Sequence, residues 1–180
     1  MNVVVLSGGV GGSRFVRALA ENVAPEDVTA IVNVGDDLEI LGLHVSPDLD
    51  SVLYALSGRN DEERGWGRAD ETWHALTTVA ELGGEAWFRL GDRDLGLHLV
   101  RTQLLRDGVP LSEATERIAH AYALECALLP ATDDPLRTFL ETTAGTLPFQ
   151  TWFVARGHRD AVNAVHYAGA PDAAAAGARP

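Results

Sequence analysis

Apolar positions along this chain follow two rhythms. Short unbroken runs rich in β-branched residues alternate with longer segments in which apolar residues recur every three or four positions. Val3–Leu6, Val28–Val34 and Ala127–Pro130 are of the first kind and read as strands buried in a parallel sheet. The helical rhythm runs through Phe15–Ala20, through Leu49, Val52, Leu53 and Leu56, through Leu95–Asp107 and through Ser112–Leu124. A further helix is expected over Glu71–Leu82, with Trp73, Leu76 and Val79 inward. Gly58, Gly83-Gly84 and Gly108 stop helices, while Ser46-Pro47 and Ser112 suit helix starts. Trp87–Leu90 reads as a short third strand leading into another turn and helix. The alternation in Arg137–Thr142, followed by Gly145, predicts a hairpin or an edge excursion. Leu147–Arg156 suits helix or strand equally, and Val162–Tyr167 reads as a strand.

The expected fold is therefore α/β, a three-layer Rossmann-like arrangement around a mainly parallel sheet. Residues 1–167 form its one domain. From Ala168 to Pro180 the chain is Ala/Pro/Gly-rich without a period and reads as a disordered tail.

Composition narrows the possible partners. The chain has 180 residues, is 46% hydrophobic and carries a net charge of -12. That charge speaks against nucleic acid and against an anionic membrane surface as general partners. An anionic ligand needs a local basic pocket or a cation. The single cysteine, Cys126, excludes an internal disulfide and fits a cytoplasmic location; as a small buried hydrophobe it needs no chemical role. The first residues lack a basic leader, and no apolar run is long enough to span a bilayer.

Chemistry concentrates in the turns that follow the strands. Ser7-Gly8-Gly9-Val10-Gly11-Gly12-Ser13-Arg14 joins a strand to a helix. Its glycines let a ligand approach the backbone, and the helix start supplies free N–H groups, an arrangement that suits phosphate. A plain packing turn is the alternative. The third glycine of a dinucleotide fingerprint is absent, since Arg14 stands there, and no Walker lysine follows. The second strand ends in Asn33-Val34-Gly35-Asp36-Asp37, at the same sheet edge. Those aspartates suit magnesium, ribose hydroxyls or a solvated turn. Asp48 and Asp50 open the next helix. Asp48 is explained by the helix dipole, which leaves Asp50 for a ligand. Trp66 between two glycines either lids a flat ring or plugs the core. Arg89 and Arg93, around Gly91-Asp92-Arg93-Asp94, are the best cationic contacts for a ligand, unless Arg93 simply pairs with its neighbours.

The motifs SGGVGGSR, NVGDD, SPDLDSVLY, GWG, LGDRD with HLVRTQLLRDG, LPATDDP and FQTWFV occur in that order. In this order they resemble the 2-phospho-L-lactate transferase family of coenzyme F-420 biosynthesis, from residue 3 to about residue 154. The resemblance implies a magnesium-dependent transferase. A GDP-linked donor carrying lactyl or enolpyruvyl phosphate passes that group to the ribityl hydroxyl of the deazaflavin Fo, and GMP leaves. It implies Asp36 and Asp50 as metal ligands, with Asp50 also orienting or deprotonating the hydroxyl. It places Arg89 on Fo, the Gly8, Gly9, Gly11 and Gly12 turn on the donor phosphates, and Asn33 and Arg93 among the substrate contacts. Family members are much longer and carry a later Pro-Ser-Asn-Pro motif at the nucleotide site. A homodimer or a complementing second half is therefore an expected partner, and an incomplete sheet with an exposed edge is the expected structural result. Competing readings are a nucleotide-sugar-binding regulator of the same fold and an inactive fragment.

Overall fold

The computed structural model describes residues 1–169. Its centre is a parallel sheet in the order β1 (Val3–Ser7), β2 (Val28–Val32), β5 (Ala127–Pro130). Val5 lies opposite Ala30, and Ala30 opposite Leu128, so these residues share one face. Helices α1 (Gly9–Ala20), α2 (Pro47–Leu56), α4 (Asp92–Arg106) and α5 (Leu111–Ala121) bury that face. Val16 of α1 and Leu49, Val52 and Leu53 of α2 pack there against Ala30 and Val32.

The opposite face is open along β1, where Leu6 is 81% and Val4 61% exposed. β1 is also one of the sheet's two edge strands. Layered α/β architecture around a parallel sheet, as expected from the sequence, is thus what the described residues form, with one sheet face uncovered along β1.

Two smaller sheets flank the centre. A hairpin of β3 (Leu38–Ile40) and β4 (Leu43–Val45) was not legible in the hydrophobic pattern, because its strands are only three residues each. It is pinned at its base, where His44 Nε2 and Ser46 Oγ both meet the buried Asp37 carboxylate, at 3.0 and 2.8 Å. Ser46 therefore stands at the start of α2 without capping it by its side chain. The second small sheet is antiparallel, in the order β7 (Gly145–Pro148), β6 (Arg137–Thr142), β8 (Val162–Ala168). The hairpin expected at Gly145 is present. The Thr138 N–H donates to the Gly35 carbonyl at 2.6 Å, tying this sheet to the loop that follows β2.

Several expectations need correction. Trp87–Leu90 is not a strand; it is an irregular segment whose Leu90 plugs a small cluster with Ile40 and Val45. Helix α3 covers only His74–Glu81 and buries Leu76 alone; its start is set by the Asp92 carboxylate, which accepts from the His74 and Ala75 N–H groups. Helix α5 begins at Leu111, and Ser112 donates its N–H to Asp133 instead of capping. The ambiguous stretch after Gly145 divides: β7 ends at Pro148 and a π-helical turn, Thr151–Ala155, follows. Ala168, expected to open the tail, instead pairs with Arg137 in β8; the expected tail over residues 170–180 lies outside the described residues.

Candidate functional site

The carboxyl ends of β1 and β2 open into a groove of about 1410 Å³. Its floor is the glycine turn. Gly9 sits at φ +66°, a conformation that favours glycine, and Gly8 leads into α1 without a side-chain cap. No acidic residue lies in the first turn of α1, so its N–H groups face the groove uncompensated. A Cβ on Gly8 would stand 2.9 Å from Asp48 Oδ2. Gly8 and Gly9 line the groove, whereas Gly11 and Gly12 do not; Gly12 instead makes room for Ser7, whose Oγ would lie 2.5 Å from an added Cβ. That Ser7 hydroxyl is buried, borders the groove and has no hydrogen-bond partner among the described residues.

Beside the turn lies an acidic pair. Asn33 donates through Nδ2 to Asp36 Oδ1 at 2.6 Å and to Asp48 Oδ2 at 3.0 Å, bringing the two carboxylates together. Gln150, from the far side, donates to Asp36 Oδ2 at 3.2 Å. Both donors are neutral. Burial first, then the charges of Asp48 and Asp37, push the Asp36 carboxyl up to about 7. The carboxylate that Asp36 meets is thus Asp48, the residue the sequence reading had explained by the helix dipole. Gly35 is required here: a Cβ would crowd Thr138 Oγ1 at 3.0 Å and Asn33 Oδ1 at 3.1 Å.

Asp50, two residues further along α2, has a different setting. It lines the groove, but its carboxylate takes both terminal nitrogens of the fully buried Arg101. Burial opposes the Arg101 charge, and the Asp50 charge and hydrogen bonds outweigh it, so that the guanidinium is held more firmly protonated than usual. His98, one helical turn before Arg101, stands between two carboxylates, 3.8 Å from Asp50 and 3.3 Å from Asp94. The contact to Asp94 is off the N–H direction, which leaves His98 Nε2 without an aligned hydrogen bond. Tyr54 donates to Asp94 at 2.5 Å. Burial and the neighbouring Asp50 and Asp94 charges raise the Tyr54 hydroxyl far above its ordinary value, so it stays a donor.

The groove's other walls are aromatic. Trp66, 41% exposed, and Trp87 border it, as do Phe149 and Phe153, which stack at 5.5 Å. Trp66 therefore does not plug the core. Arg89 reaches the groove while lying over Trp73 at 4.4 Å, and it has no ion pair among the described residues. Trp73 also faces Arg64, so its rings are already covered. Arg93 is exposed and lies away from the groove; its backbone N–H donates to Glu71, and its side chain joins neither Asp92 nor Asp94.

Of the residues singled out in the sequence, Gly8, Gly9, Asn33, Asp36, Asp50 and Arg89 converge on one groove, while Gly11, Gly12 and Arg93 do not. Sequence reasoning missed Ser7, Asp48, Gln150 and the Arg101–His98 support. The last had a visible signal: two cationic or titratable residues three apart share one helix face with Asp94, one turn earlier.

Comparison with known proteins points the same way. The family model described as 2-phospho-L-lactate transferase CofD matches residues 3–178. A phosphoenolpyruvate transferase from Nocardia farcinica is 47% identical over 160 residues, covering 84% of this chain and 48% of that protein. The protein of the same name from Streptomyces coelicolor is 49% identical over 139 residues, 77% of this chain and 44% of its own length. That from Mycobacterium bovis is 44% identical over 174 residues, 86% and 53% of the two chains. This chain thus spans about half the length of the curated relatives it matches. Among solved structures, a UPF0052 family protein from Bacillus halodurans superposes with a TM-score of 0.58 at 17% identity, over 97% of this chain and 53% of the other, a likeness of fold alone. The chain belongs to the 2-phospho-L-lactate transferase CofD family.

Proposed function

We propose that this chain supplies the cation- and acceptor-binding part of a transferase. The transferase moves a phosphoenolpyruvyl or phospholactyl group from a GDP-linked donor to the ribityl hydroxyl of the deazaflavin Fo, releasing GMP. The observation that carries the reading is the uncompensated acidic pair, Asp36 and Asp48, set against a glycine turn that presents free N–H groups. Two carboxylates facing each other beside a phosphate cradle suit a divalent cation shared with a phosphate ligand. The groove also exceeds the roughly 300–1,000 Å³ usual for one small ligand, which suits two substrates meeting in it.

Magnesium fits these residues. Among the described residues no set of three or more His, Cys, Asp or Glu converges on one point. A cation here would be held by Asp36 and Asp48 and keep most of its waters, as magnesium prefers. When bound, magnesium would neutralise charge on the donor phosphates. Asp50 suits that role less, because its carboxylate already satisfies Arg101.

Phosphoryl transfer mostly requires positioning and charge neutralisation. In this reading Gly8, Gly9 and the unpaired Ser7 hydroxyl hold donor phosphate oxygens. Arg101 fixes Asp50 in one rotamer, and Asp50 orients the attacking hydroxyl by accepting its hydrogen bond. A carboxylate clamped by a guanidinium is a weak base, so orientation is its stronger contribution. Arg89 and the Trp66, Trp87 and Phe153 walls receive the flat acceptor ring.

The test is Fo binding, followed by the quenching of protein tryptophans, with and without magnesium. Saturable binding that weakens in Arg89→Ala is expected. GMP release is expected once the remaining half of a full-length relative is added. A folded protein that does not bind Fo under either condition contradicts the reading.

A further inference from the structure

A second, smaller pocket of about 320 Å³ opens beside the groove. It lies between α1, α2 and the Asn60–Gly67 loop, and it shares Val10, Ser51 and Trp66 with the groove. Its charges nearly cancel. Arg17 is paired with Glu62 at 2.6 Å and with Glu21 at 3.0 Å. Asp61 is paired with Arg64, whose N–H and guanidinium it accepts at 2.7 and 3.1 Å. That leaves Arg14. Its guanidinium lies over Gly65, 3.7 Å from where a Cβ would stand, and makes no hydrogen bond or ion pair among the described residues. In a chain of net charge -12, this exposed guanidinium is the pocket's one cationic group not already held by a carboxylate among the described residues, and it is available to an anion that enters.

We propose that this pocket is an anion subsite, in which Arg14 binds carboxylate or phosphate oxygens of a ligand whose remainder lies in the main groove. Guanidinium geometry suits such oxygens in pairs, and the charge assistance makes the contact strong. Gly65, Trp66 and Gly67 line both compartments, so one ligand can span them. Naming the ligand as the acidic head of the transferred group rests on the transferase reading; the subsite itself rests on Arg14 and the pocket.

Calorimetric titration of the chain with phosphoenolpyruvate, inorganic phosphate and pyruvate tests it, on the wild type, Arg14→Gln, Arg14→Lys and Arg93→Gln. Arg14 is exposed, so its variants should melt as the wild type does. The expected result is phosphoenolpyruvate binding weakened roughly ten- to a hundredfold in Arg14→Gln. Arg14→Lys should recover it only partly, and Arg93→Gln, outside both compartments, should leave it within about twofold. Binding of pyruvate alone would assign the subsite to carboxylate, and binding of phosphate alone to phosphate. Unchanged affinity in Arg14→Gln, or no saturable binding of any of these anions to the wild type, overturns the proposal. Arg14-dependent anion binding without Fo binding would instead sink the transferase reading and leave the subsite standing.

Discussion

Asp48 and Asp50 are separated by one residue on the same helical turn, yet they belong to two opposite electrostatic regions. Asp50 lies in a compensated network: Arg101 closes on it, His98 stands beside it, and Tyr54 satisfies Asp94 at the far end. Asp48 lies in an uncompensated one, with Asp36 opposite and only the amides of Asn33 and Gln150 to share. A buried charge with its partner present is structure. Buried charges of one sign with no partner are a place for something else. Both regions face the same groove, so the second reads as the ligand's region and the first as its support.

The largest effect should come from breaking the compensated network. Arg101→Met leaves Asp50 buried and unpaired, and should cost about 3–5 kcal/mol in denaturant unfolding. The double variant Arg101→Met, Asp50→Leu should regain most of that loss, because two apolar side chains replace the ion pair. No recovery would mean that the network does more than balance charge.

The uncompensated region predicts the reverse sign. The folded Asp36 carboxyl titrates at about 7, against an ordinary value of 3.8. Between those values the folded state keeps a proton that the unfolded state loses, so stability should fall as pH rises from about 4 to about 7. Asp36→Asn should flatten that slope and raise stability at neutral pH by on the order of 2 kcal/mol, allowing for solvent screening. A thermal melt series across this window checks it, and a destabilised variant would erase the contrast between the two regions. Gly8→Ala tests how closely the turn and the pair are joined. Its Cβ would crowd Asp48 Oδ2 at 2.9 Å, costing about 1 kcal/mol of stability and, more tellingly, weakening cation and phosphate binding together. The smallest effect belongs to Arg93→Ala, which should stay within about 0.5 kcal/mol and leave Fo binding unchanged, since the side chain lies outside both regions.

The sheet, its helices and the glycine turn were legible because apolar periodicity and glycine punctuation are local signals. The β3–β4 hairpin was not, since strands of three residues carry too little period and are held by Asp37, His44 and Ser46. Trp87–Leu90 carried strand composition, but tertiary packing of Leu90 decided its shape. At the site, Asp36 and the first two glycines could be placed from the ends of strands, whereas the strand expected ahead of Arg89 is absent. The division of labour between Asp48 and Asp50 could not. It depends on Arg101, 51 residues beyond Asp50, which a one-dimensional reading had no reason to bring there.

The most direct test is a magnesium titration of thermal stability at pH 7 on the wild type, Asp36→Asn, Asp48→Asn and Arg89→Gln. A saturable rise of a few degrees is expected in the wild type and in Arg89→Gln, and none in either aspartate variant. An equal rise in all four proteins, or in none, would contradict the claim that the uncompensated pair is where this chain binds its cation.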